Sequence, residues 1–66
     1  MEKVKLNNKW NYIKPDGTYI SDIWFDAVDY FKDGMCYFKD GFGNVKLNND
    51  SYKLDKRGNL YFTFRN

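Results

Sequence analysis

Apolar and polar residues alternate in short runs along this chain, and turn-forming residues break the runs every few positions. Val4 and Leu6 fall on one side of an extended segment with Lys3 and Lys5 on the other. Val45 and Leu47 repeat the arrangement around Lys46, Tyr52 and Leu54 flank Lys53, and Leu60, Phe62 and Phe64 alternate with Tyr61, Thr63 and Arg65. A period of two marks a half-buried strand. Two runs, Trp10-Asn11-Tyr12-Ile13 and Met35-Cys36-Tyr37-Phe38, are apolar on both sides and read as central strands covered on both faces. The breaks are Asn7-Asn8, Pro15-Asp16-Gly17, Asp33-Gly34, Asp40-Gly41, Asn48-Asn49-Asp50 and Arg57-Gly58-Asn59, each holding residues that accept the positive or fixed φ of a tight reversal. The spacing predicts an all-β fold, a small antiparallel meander or barrel of about six to seven short strands.

One stretch competes for helix. Ile20, Ile23, Trp24, Ala27, Val28 and Phe31 recur at helical spacing, with Asp22, Asp26 and Asp29 opposite and Gly34 placed as a stop. Its aromatic and β-branched residues lose side-chain freedom in a helix. The expectation is a short helical turn in the middle of the chain, within residues 22–33.

The chain also repeats itself. Val4-Lys5-Leu6-Asn7-Asn8 returns as Val45-Lys46-Leu47-Asn48-Asn49, and the same offset of 41 carries Ile13 onto Leu54 and Gly17 onto Gly58. Such self-similarity indicates a repeat architecture whose units cannot bury their apolar faces alone. One domain, residues 1–66, is expected, built from about one and a half units at residues 4–44 and 45–66.

Composition narrows the chemistry. At 66 residues a single core is marginal, and six Phe, six Tyr and two Trp are the material available to fill it. Cys36 is the sole cysteine and histidine is absent, so no intrachain disulfide can form and a zinc site is disfavoured. This usage suggests a cytoplasmic protein. No apolar run reaches the ~20 residues of a membrane helix, so no membrane partner is expected. Net charge is +2, but residues 21–33 carry −3 (four acids, one base) and residues from 34 onward carry +3 (six bases, three acids).

The run Lys9-Trp10-Asn11-Tyr12-Ile13-Lys14-Pro15-Asp16-Gly17, followed by Ile20-Ser21-Asp22-Ile23-Trp24-Phe25-Asp26 and Phe31-Lys32-Asp33-Gly34-Met35-Cys36, resembles the tryptophan-glycine (WG) repeat family. Phe42-Gly43-Asn44-Val45 is similar to a degenerate start of a second unit at an offset of 32, with Phe42 in the tryptophan's place. The family's glycine after tryptophan is Asn11 here, another residue that tolerates positive φ. The resemblance covers residues 4 to 45 and implies a β-rich bacterial scaffold whose repeats carry no catalytic residues.

Catalysis has little to stand on. A base near neutral pH is normally histidine, and Cys36 lies in an apolar run that suits core filling better than nucleophilic attack. Asp22, Asp26, Asp29 and Asp33 could supply a carboxylate pair, but a charge run is more often a solvated face. They do not match the alternating ligands of a calcium loop, and the glycines lack the lysine and hydroxyl of a phosphate loop. No catalytic residue, metal or cofactor is expected, and the chain is read as a non-enzyme.

What remains is interaction. The first expectation is a small non-catalytic module that contacts proteins, its own copies included, because an incomplete repeat leaves apolar surface and open edges. The alternative is a small phage-type or bacterial regulator that binds a nucleic-acid enzyme or single-stranded nucleic acid. It would act through an acidic segment with Asp22, Asp26, Asp29 and Tyr30, or a basic face with Lys46, Lys53, Tyr61 and Arg65. The pI of about 8.7 falls short of a strongly basic signature, and outward lysines also protect sheet edges. The expected core is Val4, Leu6, Trp10, Ile13, Ile20, Trp24, Val28, Phe31, Phe38, Val45, Leu47, Leu54, Leu60, Phe62 and Phe64.

Overall fold

The computed structural model describes the backbone of residues 1–34 and 38–65 and the side chains as far as residue 63. Met35, Cys36 and Tyr37, and with them most of one expected central strand, lie outside the described residues, as does the side chain of Phe64. The fold is all-β. β1 (Glu2–Leu6) and β2 (Lys9–Ile13) form a two-stranded antiparallel sheet, while β3 (Ala27–Val28), β4 (Phe42–Leu47), β5 (Asp50–Asp55) and β6 (Leu60–Arg65) form a four-stranded one in chain order.

The two asparagine pairs explain why hairpins form where they do. Asn7 and Asn8 have φ of 52° and 65°, and Asn48 and Asn49 have 53° and 71°. Two successive left-handed residues define the type I′ turn, whose twist matches that of the flanking strands, and asparagine is one of the few side chains that enters this region readily. Each pair therefore acts as a two-residue loop and fixes the register behind it.

The two hairpins share that register. The β1–β2 pairs Glu2↔Ile13, Lys3↔Tyr12, Val4↔Asn11, Lys5↔Trp10 and Leu6↔Lys9 become, on adding 41, the β4–β5 pairs Gly43↔Leu54, Asn44↔Lys53, Val45↔Tyr52, Lys46↔Ser51 and Leu47↔Asp50. The following turn repeats as well. Lys14 N–H donates to the Thr18 carbonyl and Gly17 N–H to the Lys14 carbonyl, as Asp55 N–H does to Asn59 and Gly58 N–H to Asp55. Gly17 and Gly58 occupy the same position at φ of 89° and 90°, a conformation open mainly to glycine. After each turn the chain comes back along the hairpin, through the Ile13↔Tyr19 bridge in one case and the Leu54↔Leu60 pair in the other. An offset of 32 would instead lay β2, the second strand of its hairpin, on β4, the first strand of the other. The backbone follows 41.

The expected helical turn is absent from the described part of residues 22–33. Their backbone groups are taken by neighbouring strands: Phe25 exchanges both bonds with Trp10, Asp26 N–H donates to the Lys46 carbonyl, Asp29 N–H to Asn44, and Lys32 exchanges both bonds with Phe42. The segment thus runs first along β2 and then along β4, joining the two sheets. Its residues at helical spacing do not share a buried side, since Ile23 and Ala27 are exposed while Phe25 is fully buried. The sheets do not close into a barrel either. β1 and β6 stand at opposite ends of the strand order, each with a neighbour on one side only among the described residues.

The core lies between these layers and consists of Tyr12, Ile20, Phe25, Val45 and Leu54, with Phe42 also buried. Ile20, Val45 and Leu54 belong to the expected core. Tyr12, Phe25 and Phe42 do not, and they displace others: Trp10 is half-buried, as are Val4, Ile13, Trp24, Val28, Phe31, Phe38, Leu47 and Leu60, while Leu6 and Phe62 are 55% and 52% exposed. β2 is covered on both sides, as its run predicts, since the neighbours Asn11 and Tyr12 are both fully buried, and cover thins towards its ends, where Trp10 and Ile13 are half-buried. Nor does Asn11 stand in for a glycine through positive φ. It is an extended β2 residue, fully buried, whose amide donates to the Ser21 carbonyl at 2.8 Å and whose carbonyl accepts Tyr12 N–H at 2.8 Å.

Candidate interaction surface

The β1–β2 hairpin sets cations against rings. Lys3 faces Tyr12 and Lys5 faces Trp10 across the ladder, and directly opposed residues share a side of the sheet. The Lys3 ammonium lies 5.2 Å from the Trp10 ring centre and 4.4 Å from that of Tyr30, and the Lys5 ammonium lies 5.5 Å from Trp10. Such distances are in the range of cation–π attraction. Tyr30, 72% exposed, caps this surface, and its N–H is fixed by the Asp29 carboxylate at 2.8 Å. Lys3, Lys5 and Trp10 were not among the residues picked from the sequence for interaction. Their signal is the cross-strand pairing itself, which follows once Asn7-Asn8 is taken as a two-residue turn.

The acids of the central segment do not form one exposed comb. The Asp26 carboxylate pairs with the Lys9 ammonium and accepts Asn48 N–H at 2.9 Å, so it ties the start of β2 to the turn of the second hairpin. The Lys9 hydrogen bond, followed by that from Asn48, holds its carboxyl below the usual carboxylate range. Asp29 is likewise lowered, first by Tyr30 N–H and then by Lys32, whose ammonium lies 3.2 Å away. Its backbone carbonyl accepts the hydroxyl of Tyr12. Asp22 is exposed beside an open depression that also touches Tyr19, Ile23 and Arg57.

On the other sheet Asn44, Lys53 and Tyr61 form one cross-strand row, with Lys46 and Ser51 in the next. Lys46 is exposed. Lys53 is half-buried, donates to the Asn44 side-chain carbonyl at 2.9 Å and lies 4.9 Å from the Phe42 ring centre. Tyr61 donates to the Asp55 carboxylate at 2.9 Å and packs edge-on against Phe38; that bond to a negative charge raises its own pKa. Burial works against ionisation of Asp55, but hydrogen bonds from Asn59, Tyr61 and Arg57 outweigh it and leave the carboxyl below its ordinary value. Arg65 closes β6 opposite Asp50, and its side chain lies outside the described ones.

An open depression of about 420 Å³ lies over β3, β4 and β5, with Val28, Val45, Lys46 and Tyr52 in its walls. Among the described residues no group of three or more Cys, Asp or Glu side chains is arranged to hold a metal ion, and no helix is long and apolar enough to cross a membrane. No protein-family model matches this chain, and no curated protein or solved structure matches it significantly.

Proposed function

We propose that this protein is a small non-catalytic interaction module that works through protein–protein contacts, self-association among them. One observation carries the reading: the strand order ends on two edges, β1 and β6, and β6 bears Tyr61 and Phe62 at 44% and 52% exposure. Unpaired edges with exposed rings invite strand addition, and folded chains normally guard them. The resemblance to WG repeats, as a cytoplasmic bacterial or phage scaffold of one and a half units, is part of the same proposal. Light scattering across micromolar to millimolar concentration, together with capture from the native extract, tests it. A strict monomer that captures no protein overturns it.

A second reading, a small regulator of a nucleic-acid enzyme or a binder of single strands, is favoured by the juxtaposition of Lys3 and Lys5 with Trp10 and Tyr30, since rings beside cations are what single strands stack on. Binding that weakens steeply with salt supports it, and indifference to salt removes it.

A further inference from the structure

The second hairpin is covered where the first is bare. On the outer edge of β4, the carbonyls of Lys46 and Asn44 accept the N–H groups of Asp26 and Asp29 at 2.9 Å each, and the Asp26 carboxylate caps Asn48 N–H. Subtracting 41 from these positions gives Lys5, Lys3 and Asn7, on the outer edge of β1. Because the two ladders share one register, Lys3 and Lys5 point their backbone groups away from β2 as Asn44 and Lys46 point theirs away from β5. No strand lies on that side of β1, and no carboxylate caps Asn7 N–H, among the described residues.

We propose that the outer edge of β1 is a seat for an extended acidic peptide segment of a partner protein, bound as an added antiparallel strand with one aspartate on Asn7 N–H. This rests on the reading of the chain as an interaction module and names the edge and the chemistry that edge selects. The internal strand over residues 26–29 shows what fits: two backbone donors three residues apart, the first on an aspartate whose own carboxylate reaches the turn. Charge points the same way. The β4 edge offers Lys46 alone, whereas β1 carries Lys3 and Lys5, with Glu2 the sole acid at its far end. Main-chain bonds supply affinity in such strand addition, and the flanking side chains supply selectivity.

The probe is a capped synthetic peptide of residues 24–30, which contains the internal strand's own pattern. Added to the isotope-labelled protein, it is expected to shift and protect the amides of Lys3, Lys5 and Asn7. Replacing the first aspartate of the peptide by asparagine should weaken binding about tenfold, the scale of one charge-assisted hydrogen bond. Lys5→Pro spares the inward ladder but removes one outward N–H of the edge and one of its two lysines, and should weaken binding at least about tenfold. An unchanged amide spectrum for β2 and β4 in that variant shows that the fold is intact. Shifts confined to Asn44 and Lys46, or none at millimolar peptide, overturn the proposal. So does protection of Lys3 and Lys5 that rises with protein concentration without peptide, which makes a second copy the occupant. If β1 stays silent while association or capture persists through β6, this inference fails and the broader reading stands.

Discussion

The phenol of Tyr12 lies over Gly43 so closely that a Cβ on Gly43 would come within 2.2 Å of its oxygen. The ring belongs to the first hairpin and the glycine to the second, and the hydroxyl reaches past it to the Asp29 carbonyl. Gly43→Ala is therefore expected to destabilise by about 1–3 kcal/mol or more, the cost of overpacking a rigid site. Tyr12→Phe should not rescue it, because Cζ and Cε2 would still stand 2.5 and 2.7 Å from the new carbon. Denaturant midpoints of the single and double variants check both statements.

Tyr12→Phe alone should cost about 1–3 kcal/mol, since it leaves the Asp29 carbonyl without its donor. Trp10→Ala should cost less than Phe25→Ala, for which about 3–5 kcal/mol is expected. Phe25 is fully buried, whereas Trp10 is half-buried under two lysines. Melting both variants side by side settles the order, and a larger loss at Trp10 contradicts the described core.

The asparagine turns predict opposite outcomes for two substitutions at one site. Asn8 stands at φ of 65°; Asn8→Gly should be neutral or stabilising, while Asn8→Val should cost about 1–2 kcal/mol from left-handed strain alone. Thermal unfolding of the pair reads the difference. The same contrast is expected at Asn49, where φ is 71°.

Stability should fall at both ends of the pH scale. Burial, and then the charge of Asp29, push the Tyr12 phenol above its ordinary value. A group raised in the folded state contributes stability in full below its unfolded pKa of about 10 and loses it as pH climbs further. Asp16, Asp26, Asp29 and Asp55 are depressed, so their contribution is present above about 3.9 and is lost as pH drops through their folded values. Melting temperature against pH should show a plateau between these limits, and Asp55→Asn should flatten part of the acid limb.

How far the sequence could be read depends on the range of the interaction concerned. The turns were legible because Asn7-Asn8 and Asn48-Asn49 determine their own backbone, and the register followed from them. The choice between Trp10 and Tyr12 as the buried ring was not, because residues two apart share a side of their strand, and what selects Tyr12 is a glycine of the other hairpin, Gly43. Residues 22–33 misled for a related reason: their spacing suits a helix, but Trp10, Asn44 and Lys46 claim their hydrogen bonds from across the molecule. Asp26 and Asp29 were legible as acids and not as ties, since the two groups that hold Asp26 lie 17 and 22 residues away.

Two hairpins of one register offer a single strand two berths. Residues 26–29 take the rim of β4, and the rim of β1 presents the same backbone groups at Lys3 and Lys5. Where the hairpins differ is at Gly43, whose counterpart 41 places earlier is Glu2: the Tyr12 ring fills the space that a side chain at position 43 would need. The smallest residue in the second hairpin is thus what lets the first hairpin seat a ring on it.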